Sequence, residues 1–409
     1  MLRFLPLVAL AAALPALAQD KPATTTGDGS ADKPVIITGE RLADLQRDLA
    51  ACIARKCSPL EDIAATLKVV ENQFVNGDYK GARQTLTKSE GRNKKYSKDY
   101  PVAVAGLFRA DSRVSAHLGE GDLYRINTFE TVTALKAGLS DDDPRVLAGQ
   151  IEVGDMYARF GRVDAAVEQY QLVARRANKL NFPVIEGMAR LRVVGLYAQL
   201  ADTNPGTYRV NAREAAKALI ADPSKKMKPF GQAARVVLAR MDAKGGDTSA
   251  VDALITDLRK TPTTIPVLLY SAPLRWNGQL LDRRGDAQNL AGASESTGLM
   301  TADDFKGAWV DISFWITPDG NVTDVQVLRS GKPGEPEPGW TKPIIASIGT
   351  RRYVPLKLDP NEPGLLRVER YTLTARWTLP TGSHIREREA QPQIEMLDLS
   401  IDPPAKSGG

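Results

Sequence analysis

Hydrophobic residues recur with one period up to about Lys260 and with another beyond it. From Glu40 to Lys260 apolar positions return at spacings of three and four, and Gly, Asn-Pro or Asp-Pro pairs punctuate the run. That pattern belongs to amphipathic helices joined by short turns. After Lys260 the chain turns Thr/Pro-rich through Pro266, Val267 to Tyr270 reads as a short strand, and residues 277–304 are rich in Gly, Asn, Ser and Asp. Trp309 to Thr317 then alternates strictly, with Val310, Ile312, Phe314 and Ile316 on one face, as a half-buried strand does. One helix-only or strand-only fold cannot satisfy both periods. With 409 residues there is room for two or three domains. The expected architecture is therefore an N-terminal all-α array of helical hairpins (40–260), a linker or insertion (261–304), and a small α+β domain with an antiparallel sheet (305–380), followed by a flexible tail (381–409).

Within the helical part, Gly154-Asp155-Met156-Tyr157, Phe160-Gly161-Arg162, Ala166 and Tyr170 form the most informative stretch. Small Gly154 and Ala166 allow two helices to approach, Tyr157 and Tyr170 fill the space between them, and Gly161 makes the turn. These spacings resemble a tetratricopeptide repeat. Phe74 to Leu86, with Gly77-Asp78-Tyr79 and Ala82, echoes its second half, and Gly195-Leu196-Tyr197 is a further echo. The resemblance implies a stack of antiparallel helical hairpins presenting a groove, and partner binding as its use.

Cys52 and Cys57 are not on one face of a continuous helix. Ser58-Pro59-Leu60-Glu61 carries an N-cap serine, a proline at the first helical position and a glutamate at N3, so one helix ends near Cys57 and another starts at Ser58. A disulfide between Cys52 and Cys57 at that corner fits an oxidising compartment, and two unpaired thiols are the alternative. No further Cys and no nearby His completes a zinc site.

In the C-terminal part, Pro318-Asp319-Gly320 supplies a preset turn and a residue that tolerates positive φ, and Val322 to Leu328 returns as the second arm of a hairpin. Trp340 to Ile348 can form a helix, ended by Arg351-Arg352-Tyr353-Val354-Pro355. Leu365 to Leu379 is the last strand. Tyr371, Leu373, Ala375, Trp377 and Leu379 share one of its faces, and Arg370, Thr372, Thr374 and Arg376 share the other.

Gly307 to Ser330, with its Thr-Pro-Asp-Gly turn and Val-Gln-Val-Leu strand, closely resembles the first hairpin of the TonB C-terminal domain. Tyr353 and Pro355 are similar to the aromatic-x-Pro that ends the helix in that family. The resemblance implies a periplasmic domain that grips a short extended peptide, such as the TonB box of an outer-membrane receptor, beside its final strand. Such strand addition uses an open edge for main-chain hydrogen bonds and alternate side-chain pockets for selection. On this chain the edge falls at Leu366, Val368, Arg370, Thr372, Thr374 and Arg376, within Leu366 to Trp377. The family's membrane-anchor histidine has no counterpart, since His117 and His384 are the two histidines of the chain. A long Pro/Lys-rich spacer is missing as well, and the Tyr-Pro upstream of the hairpin is matched only distantly by Tyr270 and Pro273.

The N-terminus agrees with export. Met1-Leu2-Arg3 is a short basic start, Phe4 to Ala18 is apolar, and Ala16-Leu17-Ala18 has small residues where a signal peptidase reads. This is the pattern of a signal peptide at 1–18, too short to suit a span of ~20 residues, with an uncleaved anchor as the alternative. Residues 19–39 read as a flexible leader. Its end, Val35-Ile36-Ile37-Thr38-Gly39, looks like some TonB boxes, which suggests docking on a TonB-like edge in this molecule or another. The alternative is a short strand or staple before the first helix.

Catalytic patterns are missing from the sequence. It has no Gly-rich phosphate loop, no Gly-x-Ser-x-Gly elbow and no metal-spaced His cluster. Asp141-Asp142-Asp143-Pro144 precedes a helical run, where helix capping accounts for it. The 54 Lys and Arg are interspersed with 49 Asp and Glu, so the formal +5 is a mixed surface rather than a nucleic-acid footprint. The expectation is a non-enzymatic periplasmic adaptor that binds a protein or extended peptide, without cofactor, metal, nucleic acid or small-molecule substrate. A membrane-anchored energy transducer and a peptidoglycan-binding envelope protein are the alternatives.

Overall fold

A computed structural model describes residues 40–243, 247–260, 263–272, 274–276, 279–280, 308–331, 339–359, 362–375, 377–378, 387–388 and 393–400. The signal-peptide segment, the leader with Val35, Ile36, Ile37 and Thr38, and Arg376 lie outside them.

Eleven helices run in succession through the N-terminal part of the described chain: α1 (Leu42–Ala54), α2 (Pro59–Val75), α3 (Tyr79–Asn93), α4 (Pro101–His117), α5 (Gly121–Gly138), α6 (Pro144–Arg159), α7 (Val163–Lys179), α8 (Pro183–Leu200), α9 (Val210–Ile220), α10 (Lys228–Ala243) and α11 (Ser249–Leu258). Each packs on its successor, and α2 also touches α4, α6 touches α8 and α8 touches α10, so the hairpins stack in a row. The local reasons repeat. α2, α4, α6 and α8 each begin with proline in the first turn, where the missing N–H has no helical partner to lose. Between α6 and α7, Gly154 leaves room for the Tyr170 ring, which an added Cβ would meet at 2.4 Å. Tyr170 Oη donates to Asp155 Oδ1 at 2.6 Å, and both helices bury their facing residues in one cluster with α8.

The sheet holds four antiparallel strands: β4 (Trp309–Ile316), β5 (Val322–Ser330), β7 (Leu365–Thr374) and β10 (Gln393–Asp398), in the order β10-β7-β4-β5. Between β5 and β7 come α12 (Lys342–Gly349) and the short β6 (Arg352–Tyr353), which pairs with β1 (Leu268–Tyr270). β2 (Arg275–Trp276) pairs with β3 (Gln279–Leu280), and β8 (Trp377–Thr378) with β9 (Glu387–Arg388). Val310, Ile312, Phe314 and Ile316 face α12, where they form a core with Ile344, Ile348, Tyr371 and Leu373.

Three expectations need correction here. The segment expected as linker or insertion carries the strand expected at Val267 to Tyr270, and it belongs to the C-terminal domain through the β1–β6 pairing and the Thr263–Leu356 bridge. The tail expected to be flexible supplies β10. And β4 is not half-buried: Asp311 and Ser313, on its second face, are 0% and 8% exposed, because the helical array covers that face.

The cover is specific. Arg370, fully buried, stacks at 3.8 Å on the Trp309 ring and pairs with Asp311 through two bonds of 2.6 and 2.8 Å. Its remaining N–H groups donate to Phe74 O and Val75 O, both at 2.5 Å. Those are last-turn carbonyls of α2 and carry the negative end of the helix dipole, and Phe74 O also accepts from Gly77 N at 2.9 Å. Arg329 adds a third contact to Asp311 at 2.6 Å. The turns of the array complete the seal. Gly77, at φ +77°, lies under the Trp309 indole, and Gly119, at φ +74°, lies against Ala375 O, where an added Cβ would stand 2.0 Å away.

Removing one member of a buried ion pair strands the other. Arg370→Ala is therefore expected to cost about 3–5 kcal/mol in chemical denaturation, and Arg370→Met with Asp311→Leu markedly less. A loss below ~1 kcal/mol for Arg370→Ala would contradict this role.

Candidate functional site

The residues expected to offer an open edge lie on β7, and the structure gives that strand two neighbours. On one side β4 pairs with it from Trp309↔Thr372 to Ile316↔Leu365. On the other, β10 pairs Gln393↔Thr374, Ile394↔Leu373, Glu395↔Thr372, Met396↔Tyr371, Leu397↔Arg370 and Asp398↔Glu369. The ladder continues past β10: Leu399 N donates to Val368 O at 2.8 Å, and Val368 N donates to Ser400 Oγ at 2.8 Å. The expected edge is thus an interior strand, filled by the chain's own C-terminal segment. A strand from elsewhere in the same antiparallel register would make these main-chain bonds equally well.

The individual edge residues divide. Leu366 is exposed and Val368 half-buried, whereas Arg370, Thr372 and Thr374 are buried against the helical array. Alternation along β7 does separate the faces expected from the sequence, with Tyr371, Leu373 and Ala375 in the α12 core. The second face, however, meets protein rather than solvent. Thr372 Oγ1 is 2.8 Å from Tyr79 Oη and 3.0 Å from His117 Nδ1. Thr372 Oγ1 thus bridges the phenol and the imidazole, the donor at each link being set by the imidazole tautomer. The Phe74 and Tyr79 rings pack on that imidazole at 4.8 and 5.4 Å. Burial, followed by the charges of Arg159, Arg370 and Arg113, pushes His117 down to about 3.

The remaining motif residues hold the domain together. Gly320 O accepts from Tyr353 N at 2.7 Å, Pro318 O accepts from Leu356 N at 2.8 Å, and Pro355 O accepts from Thr263 N at 3.1 Å. The Pro318-Asp319-Gly320 turn and the Tyr353–Pro355 segment, distant in sequence, are thus locked together through their backbones. Beneath β7, Arg351 bonds Glu369 at 2.8 Å and Tyr371 Oη at 2.8 Å, while Tyr371 Oη donates to Glu369. Cys52 and Cys57 are joined by a disulfide with Cα atoms 5.1 Å apart, beside the Ser58–Glu61 capping box. That corner belongs to α1 and α2. Among the described residues no group of His, Cys, Asp and Glu stands close enough to hold a metal ion, and no helix is long and apolar enough to cross a membrane.

Two residues at this edge escaped the sequence reading. Arg159, in the last turn of α6, forms an ion pair with Glu395 of β10 and stacks on the Tyr124 ring at 5.0 Å. Arg367 of β7 pairs with Asp398. Only the alternation of Gln393-Ile394-Glu395-Met396-Leu397 hints at them in the sequence.

A depressed His117 binds fewer protons folded than unfolded. Its contribution to stability is present above the unfolded value of about 6.5 and is lost as pH falls toward 3. In a proton NMR titration the His117 ring is expected to show no transition between pH 8 and 5. A midpoint near 6.5 would contradict its burial beneath the sheet.

No family model matches the sequence, and no curated protein matches it. Among solved structures, BtubC (BKLC) from P. vanneervenii is 11% identical, with 54% of this chain and 88% of that one covered and a TM-score of 0.40. A kinesin-light-chain-type protein with nearly identical TPR-like repeats from Podosopora anserina is 18% identical, covering 50% of this chain and 95% of that one at a TM-score of 0.37. A single-substitution form of it gives the same identity and score over 49% and 94%. These chains are similar to about half of this one, at scores too low to argue from. The description as stacked helical hairpins followed by a small antiparallel sheet rests on the chain's own helix and strand pairing.

Proposed function

We propose that the protein is a periplasmic binding adaptor that captures an extended peptide of a partner protein by strand addition on β7. The observation that carries this reading is the β10–β7 ladder. A short segment, separate from the hairpin and helix of the domain, already lies on β7 in the geometry a partner strand would adopt. Strand addition takes most of its affinity from main-chain bonds and its selectivity from alternate side chains, and this edge offers both. The resemblance of Gly307 to Ser330 to the TonB C-terminal hairpin agrees with peptide capture. The signal-peptide pattern of Met1 to Ala18 agrees with the periplasm. The array supplies a wall beside the edge, because Tyr79, His117 and Arg159 all reach β7 or its occupant.

The leader segment Val35 to Thr38 would have to compete for the same side of β7 in this molecule, since β10 holds it. A partner peptide faces the same competition. A tethered segment acts at an effective concentration on the order of millimolar, so an incoming strand must bind more tightly or find the segment released.

A chain ended after Ala390 is expected to bind a fluorescent peptide spanning residues 391–402 saturably by anisotropy. The same peptide with Leu397→Pro is expected not to bind, because Leu397 lies opposite Arg370 in a hydrogen-bonded pair, where proline removes a ladder donor and its ring disrupts pairing. A shortened chain that retains its helical circular dichroism yet ignores the peptide would overturn strand addition at β7.

A further inference from the structure

The side chains of β10 carry information about what the edge accepts. On the α12 face, Ile394 and Met396 pack from half-buried positions against the core around Tyr371 and Leu373. On the array face, Leu397 packs against the cluster containing Trp309, Phe74 and Leu107. The two acidic residues each meet an arginine. Glu395 lies against Arg159, their side chains 15% and 21% exposed. Asp398, more exposed at 45%, meets Arg367, which is 9% exposed. The arginines come from different parts of the chain, one from the last turn of α6 and one from β7 itself.

Resting on strand addition at β7, we propose that the edge selects an extended segment running antiparallel to the strand with the pattern hydrophobic–acidic–hydrophobic–hydrophobic–acidic. Arg159 and Arg367 read the two carboxylates, and β10 is a cis copy of that ligand which holds the site closed. A neutral side chain at the Glu395 position leaves the Arg159 guanidinium largely buried without its carboxylate, and a desolvated charge lacking its partner is costly. At the Asp398 position the carboxylate is nearer solvent, so selection is weaker there. This division also gives the helical array a part in recognition, since the more demanding of the two readers sits on α6.

The test uses the full chain with its cis segment weakened by Glu395→Gln and Asp398→Asn, probed with three peptides spanning residues 391–402. One has the native sequence, one carries the same two amides, and one has lysine in place of Glu395. The native peptide is expected to bind at least tenfold more tightly than the amide peptide. Adding Arg159→Glu to the chain is expected to reverse the order in favour of the lysine peptide. Equal binding of all three would overturn acid selection while leaving strand addition intact. No binding of any peptide to a weakened chain with native near-UV circular dichroism would overturn both. Should the weakened chain not fold, a full chain carrying Arg159→Glu with Glu395→Lys keeps an ion pair in cis. It is expected to prefer the lysine peptide, and indifference between peptides would again reject the proposal.

Discussion

The Arg370 guanidinium is the point at which the two halves of this chain become one molecule. Within the sheet it is paired with Asp311, and outside it donates to Phe74 O and Val75 O at the end of α2. A buried charge is tolerated when its partners are complete, and here they come from β4 and from a helix end 296 residues earlier in the chain. Trp309 then stacks on the guanidinium and enters the helical core, with the left-handed Gly77 turn beneath it. Neither half would keep this arrangement alone. Without the array, Arg370 loses two acceptors, and without the sheet Phe74 O and Val75 O lose the guanidinium that bridges them.

This junction determines what the sheet can do. With α12 over one face and the array over β4 and β7 on the other, while β5 leaves Thr323, Gln326 and Leu328 exposed, the proposed peptide capture falls at the β7 edge. The β7 edge is bounded by the array wall, where Tyr79, His117 and Arg159 stand, and it is closed by β10. A strand lying there is read from both sides at once, by the α12 core and by the array. On the proposed function the fused architecture is more than a tether, because the helical hairpins complete the edge on which a peptide would lie.

Much of the local structure was legible in the sequence because its causes are local. The Ser58–Glu61 capping box, the Gly154–Tyr170 contact, the Pro318–Gly320 turn and the two faces of β7 each follow from residues within a turn or two of one another. The repeat was legible in part. Tyr157, Tyr170 and Gly161 showed one unit, whereas the recurrence of a first-turn proline at Pro59, Pro101, Pro144 and Pro183, and of left-handed Gly77, Gly119 and Gly161, marks the hairpins more evenly. The closure of the β7 edge was not legible. β10 is a six-residue strand whose alternation is visible, but its partner is chosen by non-local pairing, which leaves no local trace. Arg370 and Thr372 likewise read as one polar face, because nothing in their neighbourhood announces that helices from the start of the chain will cover them.

Hydrogen exchange along β7 separates an exchangeable β10 from a permanent one, because alternate amides of one strand report on its two sides. Val368 gives its N–H to Ser400 and Leu373 gives its own to Ala308. Antiparallel alternation therefore turns the amides of Arg370, Thr372 and Thr374 toward β10, and those of Glu369 and Tyr371 toward β4. If β10 is an exchangeable occupant, the first group exchanges through a local opening at least tenfold faster than the second. If both groups exchange together at the rate of global unfolding, β10 is a permanent strand of the sheet and the β7 edge is not a closed binding site.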